Sequence, residues 1–217
     1  MNIVIQCAAS KRPTAGLMLD PQGYPVMFVA EPALAPTNRQ VRYARPDDSM
    51  DGKRTWRDAL IEANQEPSRN AMRLLQSIDL YENPIYRRLA TRFGTNKLFI
   101  LSAGWGLLAS NFLTPAYDIT FSQSAEPYKR RRPAQLYADL NMLPLDSNEP
   151  VLFLGGKDYL PLFERLTRGA LGERVVMYNS ANPPRLSGCR LHRFVTTTRT
   201  NWHYECANAL IEGCVQV

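Results

Sequence analysis

The chain has 217 residues, and 45% of them are hydrophobic, which is enough to build one sizeable core. We therefore expect a single domain over residues 1–217. The formal net charge is +6, which favours a polyanionic partner, most simply nucleic acid, although a solvated basic surface has the same composition. No apolar run approaches the roughly 20 residues that span a bilayer, and no leader precedes the first strand, so we expect a soluble, cytoplasmic protein without a membrane partner.

Four short apolar runs predict buried strands, at residues 3–5, 98–101, 151–154 and 175–177. Each run is continuous rather than alternating, which is typical of strands that are covered on both faces of a parallel sheet. Each run also ends in small or polar residues. Ligands of such sheets bind beyond the carboxyl ends of the strands, so we expect all four ends to meet in one crevice.

Helical patterns separate these strands. Residues 83–93 open with an Asn cap and a proline at the first helical position, and residues 133–140 also begin with proline. We expect further helices at residues 158–166 and 203–211. Strands that alternate with helices predict an α/β fold with a mostly parallel central sheet.

Residues 12–55 interrupt this alternation and carry six prolines. We expect a long insertion with a short hairpin around residues 26–30. A long segment of this kind is usually functional or disordered. Its basic residues favour a contact surface, and a mobile surface segment is the alternative.

The first predicted strand is followed by Ser10, Lys11 and Arg12. A hydroxyl, an ammonium group and free backbone amides in one loop are suited to hold a phosphate or the polar edge of a base. Cys7, at the end of the strand, belongs either to this site or to the core. The glycines of a P-loop are missing, so a nucleotide site of that class is not expected.

The second predicted strand ends at Ser102 and continues into a turn with Gly104 and Trp105. Glycine allows the backbone to approach a ligand closely, and the tryptophan either stacks on a base or belongs to the core. Tyr117 and Asp118 follow in a loop rich in aromatic residues. Asp118 is the best candidate for a reactive group, and a helix or turn cap is the alternative role.

A carboxylate such as Asp118 suits the cleavage of an N-glycosidic bond. The departing base leaves a sugar with oxocarbenium character, which a carboxylate stabilises while it also orients or deprotonates water. One carboxylate and an aromatic wall with Tyr117 suffice for this reaction, and no metal is required. Lys11 is an alternative nucleophile through a Schiff base, although we expect it to serve as an anion anchor.

Further polar and basic residues are expected to contact a nucleic-acid backbone. They are Gly155, Gly156, Lys157 and Tyr159 after the third strand, Asn179, Asn182 and Arg185 after the fourth, the basic run Lys129, Arg130, Arg131 and Arg132, and the polar run 196–201. A solvated basic face and an exposed polar loop are the alternatives. The four cysteines have no CxxC spacing and the chain has only two histidines, so we expect neither a metal nor another cofactor.

Four segments of the chain carry motifs that recur together in known families. They are residues 3–11, with the pattern Cys-x-x-Ser-Lys, and residues 80–86, 100–108 and 115–118, the last ending in Tyr-Asp. Together they resemble bacterial YaaA-like proteins, named after a peroxide-stress protein. They are also similar to the uracil-DNA-glycosylase-like module of archaeal tRNA-guanine transglycosylase relatives. The resemblance covers most of residues 1–125.

This resemblance implies a single three-layer domain of the uracil-DNA-glycosylase type. It also implies a hydrolase that flips and excises a modified base from DNA, as related antiviral glycosylases do with phage DNA. The Gly-Gln-Asp-Pro-Tyr-His motif of ordinary uracil-DNA glycosylases is missing, so we expect a bulkier base than uracil, with the insertion enlarging or gating the pocket. The alternatives are a non-catalytic DNA-binding protein of a stress response and an enzyme that acts on the N-glycosidic bond of nucleosides or nucleotides.

Overall fold

The computed structural model describes residues 1–215, and the last two residues of the expected domain, Gln216 and Val217, lie outside the described residues. The strands are β1 (Asn2–Gln6), β2 (Met18–Leu19), β3 (Pro25–Val29), β4 (Arg42–Ala44), β5 (Leu75–Gln76), β6 (Leu98–Ser102), β7 (Gly106–Ala109), β8 (Leu113–Thr114), β9 (Tyr117–Asp118), β10 (Leu140–Asn141), β11 (Val151–Leu154), β12 (Arg174–Tyr178) and β13 (Cys189–Arg193). The helices are α1 (Trp56–Gln65), α2 (Ile85–Phe93), α3 (Leu160–Thr167) and α4 (Trp202–Ile211). None of these helices in residues 1–215 has the length and apolar character needed to cross a membrane.

Seven strands form one sheet in the order β10-β7-β6-β1-β11-β12-β13. From β6 to β13 the strands run parallel, with Ile3 paired to both Leu98 and Leu152 across the sheet. At the other edge, β7 runs antiparallel to β6. The predicted α/β fold with a mostly parallel central sheet is confirmed, and the four predicted strands lie side by side within it.

Helices cover the central strands, which explains why these strands are continuously apolar. The helices α2 and α4 pack against each other, and they contact β6 and β11 respectively. On α2 the buried residues are Ile85, Tyr86, Leu89 and Ala90, which share one face at helical spacing. The side chains of β6 and β11 are buried along their whole length as a result.

Three of the four predicted helices are confirmed, with small shifts of their ends. The Asn83 side chain accepts a hydrogen bond from the N–H of Ile85 at 2.9 Å, as expected of a cap at the start of α2. The predicted segment 158–166 corresponds to a 3₁₀ turn followed by α3, and 203–211 corresponds to α4. The pattern missed α1, which begins with a capping box of Thr55 and Asp58.

The predicted helix at residues 133–140 is wrong, because side chains from elsewhere bind the backbone of this segment. The guanidinium of Arg131 donates to the carbonyl of Gln135 at 3.2 Å, and the N–H of Ala138 donates to Asp47 at 2.9 Å. Leu140 is extended and pairs with Gly106. These tertiary contacts replace the hydrogen bonds that a helix would have made within the segment.

The insertion at residues 12–55 is ordered and forms most of a second, smaller sheet. The strands β2 and β3 form a hairpin over residues 18–29, of which only the second strand overlaps the expected range 26–30, and β4 pairs with β3 in parallel. The strand β9 also joins β3, with Phe28 opposite Tyr117 and Val29 opposite Asp118. The insertion therefore holds the Tyr-Asp pair in position through backbone hydrogen bonds.

Two buried arginines fix the turn that follows β6. Arg57 donates to the carbonyls of Gly104 and Trp105 at 3.1 and 2.9 Å, and Arg131 donates to the carbonyl of Ala103 at 2.8 Å. The charge of Arg131 is balanced by Asp139, whose side chain is fully buried. These two arginines therefore stabilise the fold. Because Arg131 is buried and already bonded, it cannot contact a DNA phosphate, and its expected role as a DNA contact is wrong.

Arg131→Gln is expected to lower the free energy of unfolding by about 3 kcal/mol, because it removes one partner of a buried ion pair. Urea unfolding measures the change. Arg132→Gln is the matched control, since Arg132 is adjacent and exposed, and it should change the free energy by less than about 0.5 kcal/mol. Equal stabilities of the two variants would contradict a structural role for Arg131.

Candidate functional site

A cavity of about 760 Å³ opens at the carboxyl ends of β1 and β11. It is lined by residues 6–10 after β1, 82–83 before α2, 120 and 122 after β9, 156 and 158–159 after β11, and 199–204 at the start of α4. The carboxyl ends of parallel neighbours lie at one edge of a sheet, which brings these loops together. The ends of β6 and β12 lie at the same edge without lining the cavity.

The ends of β1 and β11 are tied to each other below the cavity. The side-chain oxygen of Gln6 accepts a hydrogen bond from the N–H of Gly156 at 2.6 Å. At the preceding position, a Cβ atom on Gly155 would lie 2.4 Å from the ring of Phe153. Glycine is therefore required at position 155, where β11 meets the cavity, whereas a Cβ atom on Gly156 would lie 3.4 Å from the side-chain oxygen of Gln6.

A chain of hydroxyl groups connects β6 with β9 behind the cavity. The Ser102 hydroxyl accepts hydrogen bonds from the N–H groups of Gly104 and Trp105 at 3.2 and 3.1 Å. It donates its own proton to the Tyr117 hydroxyl at 2.8 Å, and the oxygen of Tyr117 lies 2.9 Å from that of Tyr81. Burial raises the pKa of Tyr117 well above its usual range, so this phenol stays protonated at neutral pH.

Cys7 lies on the cavity wall, where its sulfur is 3.2 Å from the Tyr159 hydroxyl. Both side chains are almost completely buried. Burial, and secondarily the proximity of Cys7, raises the pKa of Tyr159 well above its usual range. This pair provides a polar surface on the wall of the cavity.

Lys11 and Asp118 lie on either side of Tyr117 at the edge of this cluster. The amine of Lys11 is 4.1 Å from the centre of the Tyr117 ring. Burial lowers the pKa of Lys11, although the nearby Cys7 and Asp118 act in the opposite direction. The carboxylate of Asp118 lies 2.8 Å from the amine of Lys129 and its side chain is 39% exposed.

The structure brings many of the predicted site residues together. Cys7, Ser10, Gly156 and Tyr159 line the cavity. The catalytic candidates Lys11, Tyr117 and Asp118 do not line it. Lys11 follows the lining residue Ser10, Asp118 stands two residues before the lining residue Thr120, and Tyr117 is buried. Ser102 contacts this group through the hydroxyl of Tyr117.

Other predicted site residues do not reach the cavity. Gly104, Trp105 and Gly155 are buried. Of the two roles expected for Trp105, stacking on a base is wrong and a place in the core is confirmed, because the indole packs beside Phe28. Lys129 pairs with Asp118 and Glu126. The remaining predicted contacts are wholly or partly exposed outside the cavity lining, namely Arg12, Arg130, Arg132, Lys157, Asn179, Asn182 and Arg185.

Sequence reasoning missed several side chains of the cavity wall. Two carboxylates, Glu82 and Asp158, line the cavity, as does His203. Arg199 also lines it, and this residue belongs to the predicted polar run 196–201. Asp158 is partly buried and stands two residues after the diglycine turn, which was the signal available for it. Glu82 stands just before α2 and His203 stands within α4. A helical pattern does not mark such residues as part of a site. Among residues 1–215, no three His, Cys, Asp or Glu side chains are placed to hold a metal ion.

No protein-family profile, curated protein or solved structure matches this chain significantly. The resemblance to YaaA-like and glycosylase-like proteins therefore stays a prediction, as does the activity that it implies. The function is argued below from the geometry of the cavity and its rim.

The stability of the protein is expected to fall as the pH drops from 6.5 to about 4. Burial lowers the pKa of His203 from 6.5 to about 4, so the unfolded chain binds a proton in this range that the folded chain does not. The resulting loss reaches about 3 kcal/mol. Unfolding of the wild type and of His203→Gln across this range measures it. The variant should lose most of this pH dependence, whereas His192→Gln should keep it, and equal pH profiles of wild type and His203→Gln would contradict the assignment.

Proposed function

We propose that this protein is a DNA N-glycosylase with a uracil-DNA-glycosylase-like arrangement, which hydrolyses the bond between deoxyribose and a modified base. The observation that carries the proposal is the contact of Lys11 with Tyr117, which Asp118 follows, beside a cavity large enough for a base and lined by Ser10 and Thr120. The net charge of +6 supports a polyanionic substrate. The motif resemblance favours a role in antiviral defence or DNA repair.

The base is proposed to bind inside the cavity after it has been flipped out of the duplex. The cavity of about 760 Å³ lies within the range of roughly 300 to 1,000 Å³ that is typical of small-molecule sites. This is more space than an unmodified base needs, which favours a base with a bulky substituent. The hydroxyls of Ser10 and Thr120 and the amide of Asn83 provide hydrogen-bonding groups for its polar edges.

The sugar is proposed to lie at the rim, beside Asp118. A base that fills the cavity leaves its deoxyribose at the mouth, where it is still joined to the DNA backbone. Thr120 lines the cavity, and Asp118, two residues earlier, is partly exposed. The carboxylate can therefore be reached by a sugar that does not itself enter the cavity.

Asp118 would then stabilise the positive charge that develops on the sugar as the base departs. Its ion pair with Lys129 at 2.8 Å keeps the carboxylate in place at the rim. The same group can orient or deprotonate the attacking water. The buried phenols of Tyr81, Tyr117 and Tyr159 stay protonated, so they donate hydrogen bonds without adding negative charge near the DNA.

The DNA backbone is proposed to cross the end of the sheet at which the carboxyl ends of its parallel strands lie. Arg199 lines the cavity, Lys157 follows the lining residue Gly156, and Arg12 stands two residues after the lining residue Ser10. Cations at the mouth of a cavity contact phosphates and thereby position the target nucleotide. The buried arginines Arg57 and Arg131 take no part in this contact.

An enzyme acting on free nucleosides is the second candidate, and one observation favours it. The carboxylates of Glu82 and Asp158 line the same cavity, where they suit the hydroxyls of a free sugar better than a phosphate. Base release from nucleosides in the absence of DNA would identify this activity. A non-catalytic DNA-binding protein would bind duplexes without releasing any base.

Asp118→Asn is expected to reduce base release by about 100-fold or more while DNA binding is retained, because the amide cannot stabilise the sugar cation or activate water. The assay uses duplexes that each carry one modified base, including 5-hydroxymethylcytosine and its glucosylated form, and detects abasic sites by alkaline cleavage. Asp146→Asn is the matched control, because Asp146 is exposed and does not line the cavity, and it should keep the activity. Equal activity of Asp118→Asn and the wild type would contradict the proposed role of Asp118.

Arg199→Gln is expected to weaken DNA binding and to reduce the slope of log affinity against log salt by about 0.9, the value for one lost phosphate contact. Fluorescence anisotropy of a labelled duplex at several salt concentrations measures both. Arg168→Gln is the control, because Arg168 caps the other end of α3, about 12 Å along the helix from the cavity. Identical salt slopes for the two variants would place the DNA elsewhere on the surface.

A further inference from the structure

Lys11 lies next to a residue of the cavity wall, in a loop that backbone hydrogen bonds hold in place. It directly follows Ser10, which lines the cavity. Its backbone forms an antiparallel bridge with Tyr81, and the next N–H, that of Arg12, donates to the carbonyl of Leu80 at 2.8 Å. The position of the lysine is therefore determined by the backbone, and its side chain extends over Tyr117.

The amine of Lys11 packs against an aromatic ring and forms no ion pair among residues 1–215. It lies 4.1 Å from the centre of the Tyr117 ring. Within residues 1–215, no carboxylate oxygen lies at ion-pairing distance from this amine, since the neighbouring Asp118 is bound to Lys129. Tyr117 is itself fixed by its hydrogen bonds to Ser102 and Tyr81, so the ring is a rigid support for the lysine.

The pKa values of Lys11 and Lys129, the two lysines near Asp118, are shifted in opposite directions. Lys129 pairs with both Asp118 and Glu126, and these hydrogen bonds raise its pKa. Burial lowers the pKa of Lys11, which increases the fraction of its amine that is uncharged. A neutral amine is the form of lysine that attacks carbon.

We propose that Lys11 forms a covalent link to C1′ of the deoxyribose, so that the protein cleaves the DNA strand at the site of the lost base. The inference rests on the proposed function and deepens it, because it makes Lys11, in place of water, the group that attacks the sugar, and it predicts a second activity. Neighbouring groups are less suited to this attack. The sulfur of Cys7 is buried against Tyr159, and the carboxylate of Asp118 is held by Lys129.

In the first step the lone pair of the Lys11 nitrogen forms a bond to C1′, and the bond between C1′ and the base breaks with its electron pair leaving on the base. The amine loses one proton, which passes to the departing base through Asp118 or water. The C1′–O4′ bond then breaks and O4′ takes a proton from water, which opens the sugar ring and gives a protonated Schiff base between C1′ and Lys11. This iminium acidifies the hydrogen on C2′. Water removes that proton, and the C3′–O bond breaks with its electron pair leaving on the 3′ phosphate. Water hydrolyses the Schiff base and restores the free amine.

The test uses a duplex that already contains one aldehydic abasic site, so recognition of a base is not required. Sodium borohydride reduces the C=N bond to a stable amine and traps the complex. The wild type should give an adduct that survives a denaturing gel, with the modification on the peptide that contains Lys11. Lys11→Arg keeps the positive charge but cannot form a Schiff base, and it should reduce the yield of adduct by at least about tenfold. Lys53→Arg, in an exposed turn of the insertion, should leave the yield unchanged.

Binding of the same duplex without borohydride shows that each variant is folded and competent. Base release by the wild type without any trapped adduct would overturn the role of Lys11 and leave the glycosylase proposal intact. An adduct that persists in Lys11→Arg, or that maps to another lysine, would overturn it as well. An adduct at Lys11 together with no base release from any duplex or nucleoside would support the lyase step and overturn the glycosylase proposal.

Discussion

The position of Tyr117 is the constraint on which the candidate site depends. Its backbone is held by the pairing of β9 with β3, and its hydroxyl is held by Ser102 and Tyr81. Its ring in turn supports the amine of Lys11. Four distant segments of the chain therefore meet at one side chain, and because this meeting is buried, a change in any of them displaces the others.

The basic composition of the chain serves two physically different purposes. Arg57 and Arg131 are buried and neutralised, and they bind the carbonyls of the turn that orients Ser102. Arg12, Lys157 and Arg199 are at least partly exposed near the mouth of the cavity, where they remain available to an anionic ligand. Net charge alone does not separate these roles, because it counts a buried ion pair and a free surface cation in the same way.

The same distinction applies to the two lysines at the rim. Asp118 lies between Lys11 and Lys129, but it bonds only with Lys129. One lysine is kept charged by its carboxylate partners, while the other loses solvation without gaining such a partner. This asymmetry underlies both the proposed stabilisation of the sugar by Asp118 and the proposed covalent role of Lys11.

Local patterns in the sequence were sufficient for the central strands, for α2, α3 and α4, and for the clustering of Cys7, Ser10, Lys11, Tyr117 and Asp118 at one edge of the sheet. They were sufficient because continuous apolar runs, helix caps and the direction of parallel strands depend on neighbouring residues and simple geometry. The tertiary structure alone decided that residues 133–140 are not helical, that Arg131 and Trp105 are buried, and that Asp158 and His203 line the cavity. These outcomes depend on contacts between residues far apart in the chain, such as Arg131 with Ala103 and Ala138 with Asp47, and no local pattern records which distant side chain will satisfy a buried charge or a backbone amide.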